Sequence, residues 1–513
     1  MLARIHSSAT IGIDAHPILV EVDIARGLPG FSTVGLPDNA VKESKDRVKS
    51  AIKNSGYAFP ARRITVNLAP ADIKKEGTSF DLPLAVGVLL AEGFIKRENL
   101  DDYIFVGELS LDGSIRSVRG AISISMCARA EGRRLILPLE NAGEAAVVRG
   151  VEVYGARTLP ELVEFFNGTG ELPRIESRPE EWFNSGQSDG EALDLSDVKG
   201  QEHVKRALEV AAAGGHNMIM IGPPGSGKTM LSRRLPTILP DMGLEEALEA
   251  TRVHSVAGTL PPQKALITSR PFRAPHHTVS SVGLIGGGSI PRPGEVSLAH
   301  NGVLFLDEMP EFGKSVLEAM RQPLEDGDVN IVRAAMSISY PASFMLVGAM
   351  NPCPCGFLGD PAKECHCSPA QVQRYRARLS GPLLDRIDIH CEVPAVRFRD
   401  LADERRAETS AEVKKRVNAA RALQAERFGR KKKCRPFCNS RMTASDIRKY
   451  CRVDGESRRL LETAVERLGL SARAYSRILK VARTIADLDG EESLKTAHIS
   501  EAIQYRTLDR PVF

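Results

Sequence analysis

Apolar positions that alternate with polar ones mark the first elements. Ile18 to Ile24 and Ile64 to Leu68 read as strands, because neighbouring side chains of a strand face opposite sides, and the wholly apolar Ile104 to Val106 reads as a third. Asn39 to Ser55 carries Val41, Val48, Ala51 and Ile52 on one helical face, and a second, more apolar helix is expected from Phe80 to Glu92. This mixture predicts an α+β domain over residues 1–170. Between 171 and 194 the periodicity fades, and Pro173, Pro179, Gly186 and Gly190 stand among Glu and Ser as in a linker. A helix, His203 to Ala213, follows. Met218 to Ile221, Val303 to Leu306 and Phe344 to Val347 are then apolar without alternation, the pattern of buried strands. A helix from Lys314 to Leu324 and a β-hairpin about Arg333-Ala-Ala335 lie between the last two. These elements predict an α/β core over 195–397. From 398 to 513 helical periodicity takes over: Ser410 to Arg427, Ala444 to Tyr450, Glu456 to Arg467, Ala472 to Leu488 and Thr496 to Tyr505 fit a small helical bundle.

Composition narrows the classes. A chain of 513 residues holds two to four domains, each with its own core. Lys plus Arg number 69 against 65 Asp plus Glu, a net charge of +4, so any nucleic-acid footprint has to be local. Apolar runs are too short for a membrane span and the first residues show no signal-peptide core, which predicts a cytoplasmic protein with no membrane contact. Nine cysteines, an odd number and clustered, suit thiols or a metal site better than a disulfide framework.

The candidate chemistry begins at Ile221-Gly-Pro-Pro-Gly-Ser-Gly-Lys-Thr229, directly after one buried strand and before a helix start at Met230 to Leu235. Strand, glycine-rich turn and helix in that order form a phosphate cradle. Gly222, Pro223, Pro224, Gly225, Ser226 and Gly227 turn backbone N–H groups inward around a polyphosphate, and the helix N-terminus adds partial positive charge. Lys228 reaches the β- and γ-phosphates, and the Thr229 hydroxyl takes one position on Mg²⁺. A later strand ends in Asp307-Glu308. There Asp307 would hold the Mg²⁺ and Glu308 would orient the attacking water. ATP and Mg²⁺ are the cofactors these residues call for.

The order of these elements resembles the helix-2-insert branch of AAA+ proteins, and most closely the Mg-chelatase-like YifB/ComM family. The resemblance covers essentially the whole chain. Its most specific markers are Phe272-Arg-Ala-Pro-His-His-Thr278, Ala349-Met-Asn-Pro-Cys-Pro-Cys-Gly356, Gly381-Pro-Leu-Leu-Asp-Arg-Ile-Asp-Ile-His390 and Ala482-Arg-Thr-Ile-Ala-Asp-Leu488. It implies that Asn351 is the sensor on the γ-phosphate, that Arg386 is an arginine finger reaching a neighbouring subunit, and that Arg473 is the second sensor, in a C-terminal helical lid. A homo-oligomeric, hexameric ring is implied with them. The segment Leu195 to Gln201 is expected against the adenine. Near the start, Lys75-Glu-Gly-Thr-Ser79-Phe-Asp-Leu-Pro-Leu and Gly107 to Ile122 resemble the Lon-type Ser–Lys peptidase fold. Ser79 falls at its nucleophile, but Ile122 stands where the lysine base belongs, so the serine has no activator and the domain is expected to be inactive.

Cys353-Pro-Cys355 and Cys365-His-Cys367, nine residues apart, leave structural Zn²⁺ and free thiols both open. The basic run Arg430-Lys-Lys-Lys433 reads as a solvated charge cluster. Three functions compete. A DNA motor for recombination or natural transformation, of helicase or branch-migration type, would grip phosphates through Arg292 in the Gly-rich insert and Arg333 at the hairpin tip. A chelatase-like machine would remodel a protein partner. A protease is disfavoured by Ile122.

Overall fold

A computed structural model describes residues 2–96, 99–177, 182–183, 193–261, 264–288, 291–333, 336–360, 363–395, 407–429, 438–506 and 508. The run 430–433 and much of 171–194 lie outside them. The chain divides into two compact units, residues 1–186 with 244–268 and 334–339, and residues 187–243 with 269–333 and 340–513.

The first unit is built on an eight-stranded sheet. Its strands are β1 (Leu2–Ile11), β2 (Asp14–Ala25), β3 (Gly30–Val34), β4 (Arg63–Ala69) and β5 (Tyr103–Phe105), with β8 (Arg134–Pro138), β9 (Val153–Ala156) and β10 (Arg174–Ile175). They lie in the order β10-β9-β8-β5-β1-β2-β4-β3, and β6 (Glu108–Leu109) with β7 (Ile115–Arg116) forms a separate ribbon. The antiparallel hairpin β1–β2 runs in register from Leu2↔Asp23 to Ile11↔Asp14, turning at Gly12 with φ +62°. Helices Asn39–Asn54 and Asp81–Ala91 cover the sheet, within a residue or two of the expected spans. Val41, Val48, Ala51 and Ile52 are buried as the periodicity requires. A Cβ at Gly87 would stand 2.6 Å from Val22 Cγ2, so the second helix approaches the sheet more closely than any side chain permits. Asp81 is buried on that helix and is held by Arg47, which donates to both carboxylate oxygens at 2.7 and 3.0 Å.

In the second unit a wholly parallel sheet has the order β12-β15-β18-β11-β19. Its strands are β11 (Met218–Ile221), β12 (Phe272–Arg273), β15 (Val303–Leu306), β18 (Met345–Met350) and β19 (Ile389–Glu392). A small ribbon of β13 (Gly286–Gly287) with β14 (Arg292–Pro293) interrupts one crossover, and β16 (Asp328–Arg333) is followed by β17 (Met336–Pro341), of which only Tyr340 and Pro341 belong to this unit. The three unalternating apolar runs are buried strands of this sheet, and the α/β class follows directly from them. The helix expected from Lys314 to Leu324 is instead two helices, Lys314–Ala319 and Arg321–Asp326. Pro323 cannot sit deep in a continuous helix, and the break at Met320 moves it into a first turn, where its missing N–H costs nothing.

C-terminal helices Ser410–Phe428, Ala444–Tyr450, Gly455–Leu468, Ala472–Leu488 and Thr496–Gln504 fall close to their expected spans. Ile478, Leu479, Val481, Ala482, Ile485 and Ala486 join one apolar core with the helix Glu202–Gly214 and with strand residues Met218, Val303 and Val347. Gln424 Nε2 donates to the Ala213 carbonyl at 3.0 Å within that core. No helix among the described residues is long and apolar enough to cross a membrane.

Candidate nucleotide site

Parallel strands end on one edge of their sheet, and here β11, β15 and β18 are followed directly by Gly222, Asp307 and Asn351 respectively. Ligands of open α/β sheets gather outside such carboxyl ends. The turn 222–227 leads into the helix Lys228–Ile238, whose N-terminal amides face it. Gly222 is obligatory: a Cβ there would lie 2.1 Å from the Val393 carbonyl oxygen. Gly225 and Gly227 take φ +77° and +86°, the left-handed region that curls the turn.

Lys228 Nζ donates to the carbonyls of Gly222 at 2.7 Å and Pro223 at 2.9 Å, and lies 3.4 Å from both Ser226 Oγ and Asn351 Oδ1. Burial lowers its pKa, against the opposing pull of Asp307 and Glu308. Thr229 Oγ1 donates to Asp307 Oδ2 at 2.6 Å. The Glu308 amide donates to Asp307 Oδ1 at 3.0 Å, and Glu308 takes φ +50°, a strained setting for a residue with a Cβ. Lys228, Thr229, Asp307 and Asn351 are thereby brought together, with Glu308 at the exposed rim.

One neighbour, His277, has no role assigned to it from the sequence. His277 Nδ1 lies 3.7 Å from Glu308 Oε2, with His276 packed on its ring at 4.1 Å between centroids. The marker Phe272 to Thr278 contained both, yet only the fold brings them to Glu308. Gln201, at φ +58°, donates to the carbonyls of Ser226 at 2.9 Å and Pro394 at 3.1 Å, tying the segment before the first helix to the turn.

Arg386 and Arg473 are placed elsewhere in this unit. With Leu324, Glu325, Asp385 and Arg477 they line one small cavity, which no residue of the turn 222–227 lines. Arg386 pairs with Glu325, and its Nη1 donates to the Pro382 carbonyl at 2.7 Å. Its Nε is buried without a hydrogen-bond partner. Asn217 fixes the backbone below, donating to the Arg386 carbonyl at 3.0 Å and accepting from the Leu346 amide at 2.9 Å. Arg477 pairs with the buried Asp388, which also meets His216 Nδ1 at 2.9 Å.

Arg292 and Arg333 are both exposed. They share a neighbourhood: Arg292 pairs with Gly287 across β13–β14, and Arg333 Nη2 is 4.0 Å from where a Cβ on Gly287 would lie. Tyr340 Oη donates to the Pro291 carbonyl at 2.8 Å and ties the two ribbons together. The sulfurs of Cys353, Cys355, Cys365 and Cys367 all lie within 4.8 Å of one another. In the first unit Ile122 is fully buried and its amide donates to Glu144 Oε1 at 3.3 Å. Lys75 is also buried, with its ammonium on the Pro70 carbonyl.

Fold and site together describe a P-loop protein of the AAA+ type. Family models of the magnesium chelatase subunit ChlI match residues 194–401, a ChlI segment matches 20–141, and the ChlI C-terminal model matches 407–506. Competence protein ComM of Haemophilus influenzae is 46% identical over 99% of this chain and 98% of its own length. YifB of Escherichia coli matches at the same identity and coverage. The magnesium-chelatase 38 kDa subunit of Rhodobacter capsulatus is 26% identical over 43% of this chain and 64% of its own. The chain belongs to the Mg-chelatase-like ComM/YifB family.

Proposed function

We propose that the protein is a Mg²⁺-dependent ATPase that works as a homo-oligomeric, hexameric ring motor on DNA. The observation that carries the reading is the junction of Lys228, Thr229, Asp307 and Asn351 at the carboxyl edge of the parallel sheet. Gly222, Pro223, Pro224, Gly225, Ser226 and Gly227 would wrap the phosphates with backbone amides. Lys228 would exchange its carbonyl partners for the β- and γ-phosphates. Thr229 and Asp307 are the natural holders of Mg²⁺, a hard cation that takes oxygen ligands. The metal supplies charge neutralisation on the transferring phosphoryl group. Glu308 would orient and polarise the water, and Asn351 would hold the γ-phosphate or that water.

Arg386 and Arg473, sharing a cavity of their own, are read as the guanidinium groups one chain offers to its neighbour's nucleotide. Planar, permanently charged groups suit the developing phosphoryl charge, and a finger of this kind is worth roughly 10³–10⁵ in rate. The C-terminal helices are the lid, and the first unit is a Lon-like domain without peptidase activity, since Ile122 supplies no base for Ser79.

DNA is favoured as substrate because Arg292 and Arg333 converge on two joined ribbons. Two exposed guanidinium groups fit a phosphate backbone and imply sequence-independent, salt-sensitive binding. The relative named for competence agrees with this role, in recombination or natural transformation. The test is steady-state ATP hydrolysis with and without single-stranded, duplex and forked DNA at several salt concentrations. Stimulation by DNA that fades with salt supports the reading. Hydrolysis indifferent to every DNA form would contradict it and favour a protein substrate.

A further inference from the structure

The loop between β18 and the helix Pro369–Arg376 carries no regular structure among its described residues. A loop of that length needs something other than a backbone ladder to fix it. Four thiols gather in it. Cys353 Sγ lies 3.3 Å from Cys355 Sγ and 3.6 Å from Cys365 Sγ, and Cys355 and Cys365 are also 3.6 Å apart. Four sulfurs on a tetrahedron about 2.3 Å from a Zn²⁺ ion would stand roughly 3.8 Å from each other. Three of the sulfurs are already near that figure, Cys367 Sγ lies within 4.8 Å of each of them, and none of the four cysteines is in a disulfide.

This loop is joined to the nucleotide site at both ends of its first turn. Asn351, next to Lys228 Nζ, precedes Cys353 by two residues. Gly356, one residue after Cys355, is pressed on the nucleotide turn: its φ is +86°, and a Cβ there would meet Pro224 Cδ at 2.6 Å. Arg376 adds positive charge beside Cys353 and donates to the Pro352 carbonyl at 3.4 Å. Four thiolates on a divalent ion leave two net negative charges, which a guanidinium at this place offsets.

We propose that Cys353, Cys355, Cys365 and Cys367 hold one Zn²⁺ ion as a closed four-thiolate site, and that the ion clamps the Asn351 loop onto the nucleotide turn. The thiols release their protons to solvent as the metal binds. With all four positions taken by protein sulfur the ion has no open site for water, so its part is structural. The clamp, though not the metal site, rests on the nucleotide reading above.

The experiment starts from the full-length protein purified without chelator or added metal. Elemental analysis should find about one zinc per chain, as four-cysteine sites hold a single ion. A mercurial should release that ion as thiols react, and protein grown on cobalt should show the visible bands of a tetrahedral thiolate site. Cys365→Ser and Cys367→Ser should lose the metal, while Cys391→Ser, a buried cysteine outside the group, should keep it. Metal-depleted wild type should bind a fluorescent ATP analogue several-fold more weakly and regain affinity with Zn²⁺, which keeps the test valid if a serine variant fails to fold. Wild type without metal after growth in zinc-supplemented medium, or with these cysteines in disulfides, would overturn the site. Zinc present but without effect on nucleotide affinity would overturn the clamp. Zinc-loaded protein that binds no nucleotide would instead overturn the nucleotide reading and leave the metal site standing.

Discussion

Lys228 shows how a single side chain sets a site's sensitivity. Its ammonium is buried and already solvated by two carbonyls, with Asn351 close by, so it is ready to trade those acceptors for phosphate oxygens. Lys228→Ala should abolish nucleotide binding, measured by the fluorescent analogue, with little change in the unfolding midpoint. Glu308→Gln should leave binding intact and lower the hydrolysis rate by at least about a hundredfold, the scale on which positioned general bases act. His277 approaches the Glu308 carboxylate, so His277→Ala should change kcat while leaving nucleotide affinity unaltered. Asp388 offers a pH signature. Burial pushes its carboxyl up, but Arg477 and His216 outweigh burial and hold it well below the usual carboxylate range. Its ionised form therefore stabilises the fold above the unfolded carboxylate pKa, and that contribution is lost as pH falls through the depressed native value. Stability from this group should be flat from neutral pH down to about 5 and fall only in more acid solution. Asp388→Asn should cost about 3 kcal/mol at neutral pH, because it removes the buried negative charge that faces Arg477 and His216.

At the scale of elements, the legible parts were those whose cause is local. The nucleotide turn is a run of consecutive residues, and its glycines announce the positive φ and the close approach to Val393. Asp307 could be placed because an unalternating apolar run marks a buried strand that ends beside it, whereas Asn351 was placed by the family resemblance, its strand Met345–Met350 running past the expected end at Val347. Distant approaches left no such trace. Nothing near His277 points to Glu308, and the segment Leu195 to Gln201 does not by itself show that Gln201 donates to the Ser226 carbonyl. The helix Leu244–Ala257 is the clearest case: it follows the helix after the nucleotide turn in sequence, yet it belongs to the first unit. There Ser255 Oγ accepts from the Gly120 amide at 2.9 Å and donates to the buried Glu144. Its apolar pattern looks like any core helix and does not name its partner. Ser255→Ala should destabilise the first unit by about 1–2 kcal/mol through the donor Glu144 loses, read in thermal unfolding. Joined ribbons carry Arg292 and Arg333. Removing either should weaken DNA binding of every sequence alike and lower the salt dependence by about one phosphate contact.

For the whole molecule, the decisive feature is the separation of roles within one chain. Lys228, Thr229, Asp307 and Asn351 form one group, while Arg386 and Arg473 share a cavity apart from the nucleotide turn. If each chain lends its arginines to the next, the catalytic centre exists only in the assembled ring, and hydrolysis should rise more steeply than in proportion to protein concentration until assembly is complete. The most direct test mixes two inactive variants. Lys228→Ala keeps Arg386 but has no nucleotide site of its own, and Arg386→Ala keeps the nucleotide site but has no finger. Each should be inactive alone with DNA and ATP present. Mixed and allowed to exchange subunits, they should recover part of the wild-type hydrolysis, because some sites then combine an intact turn with an intact arginine. If subunit exchange is verified and no activity returns, or if Arg386→Ala alone hydrolyses ATP at the wild-type rate, the shared site is contradicted.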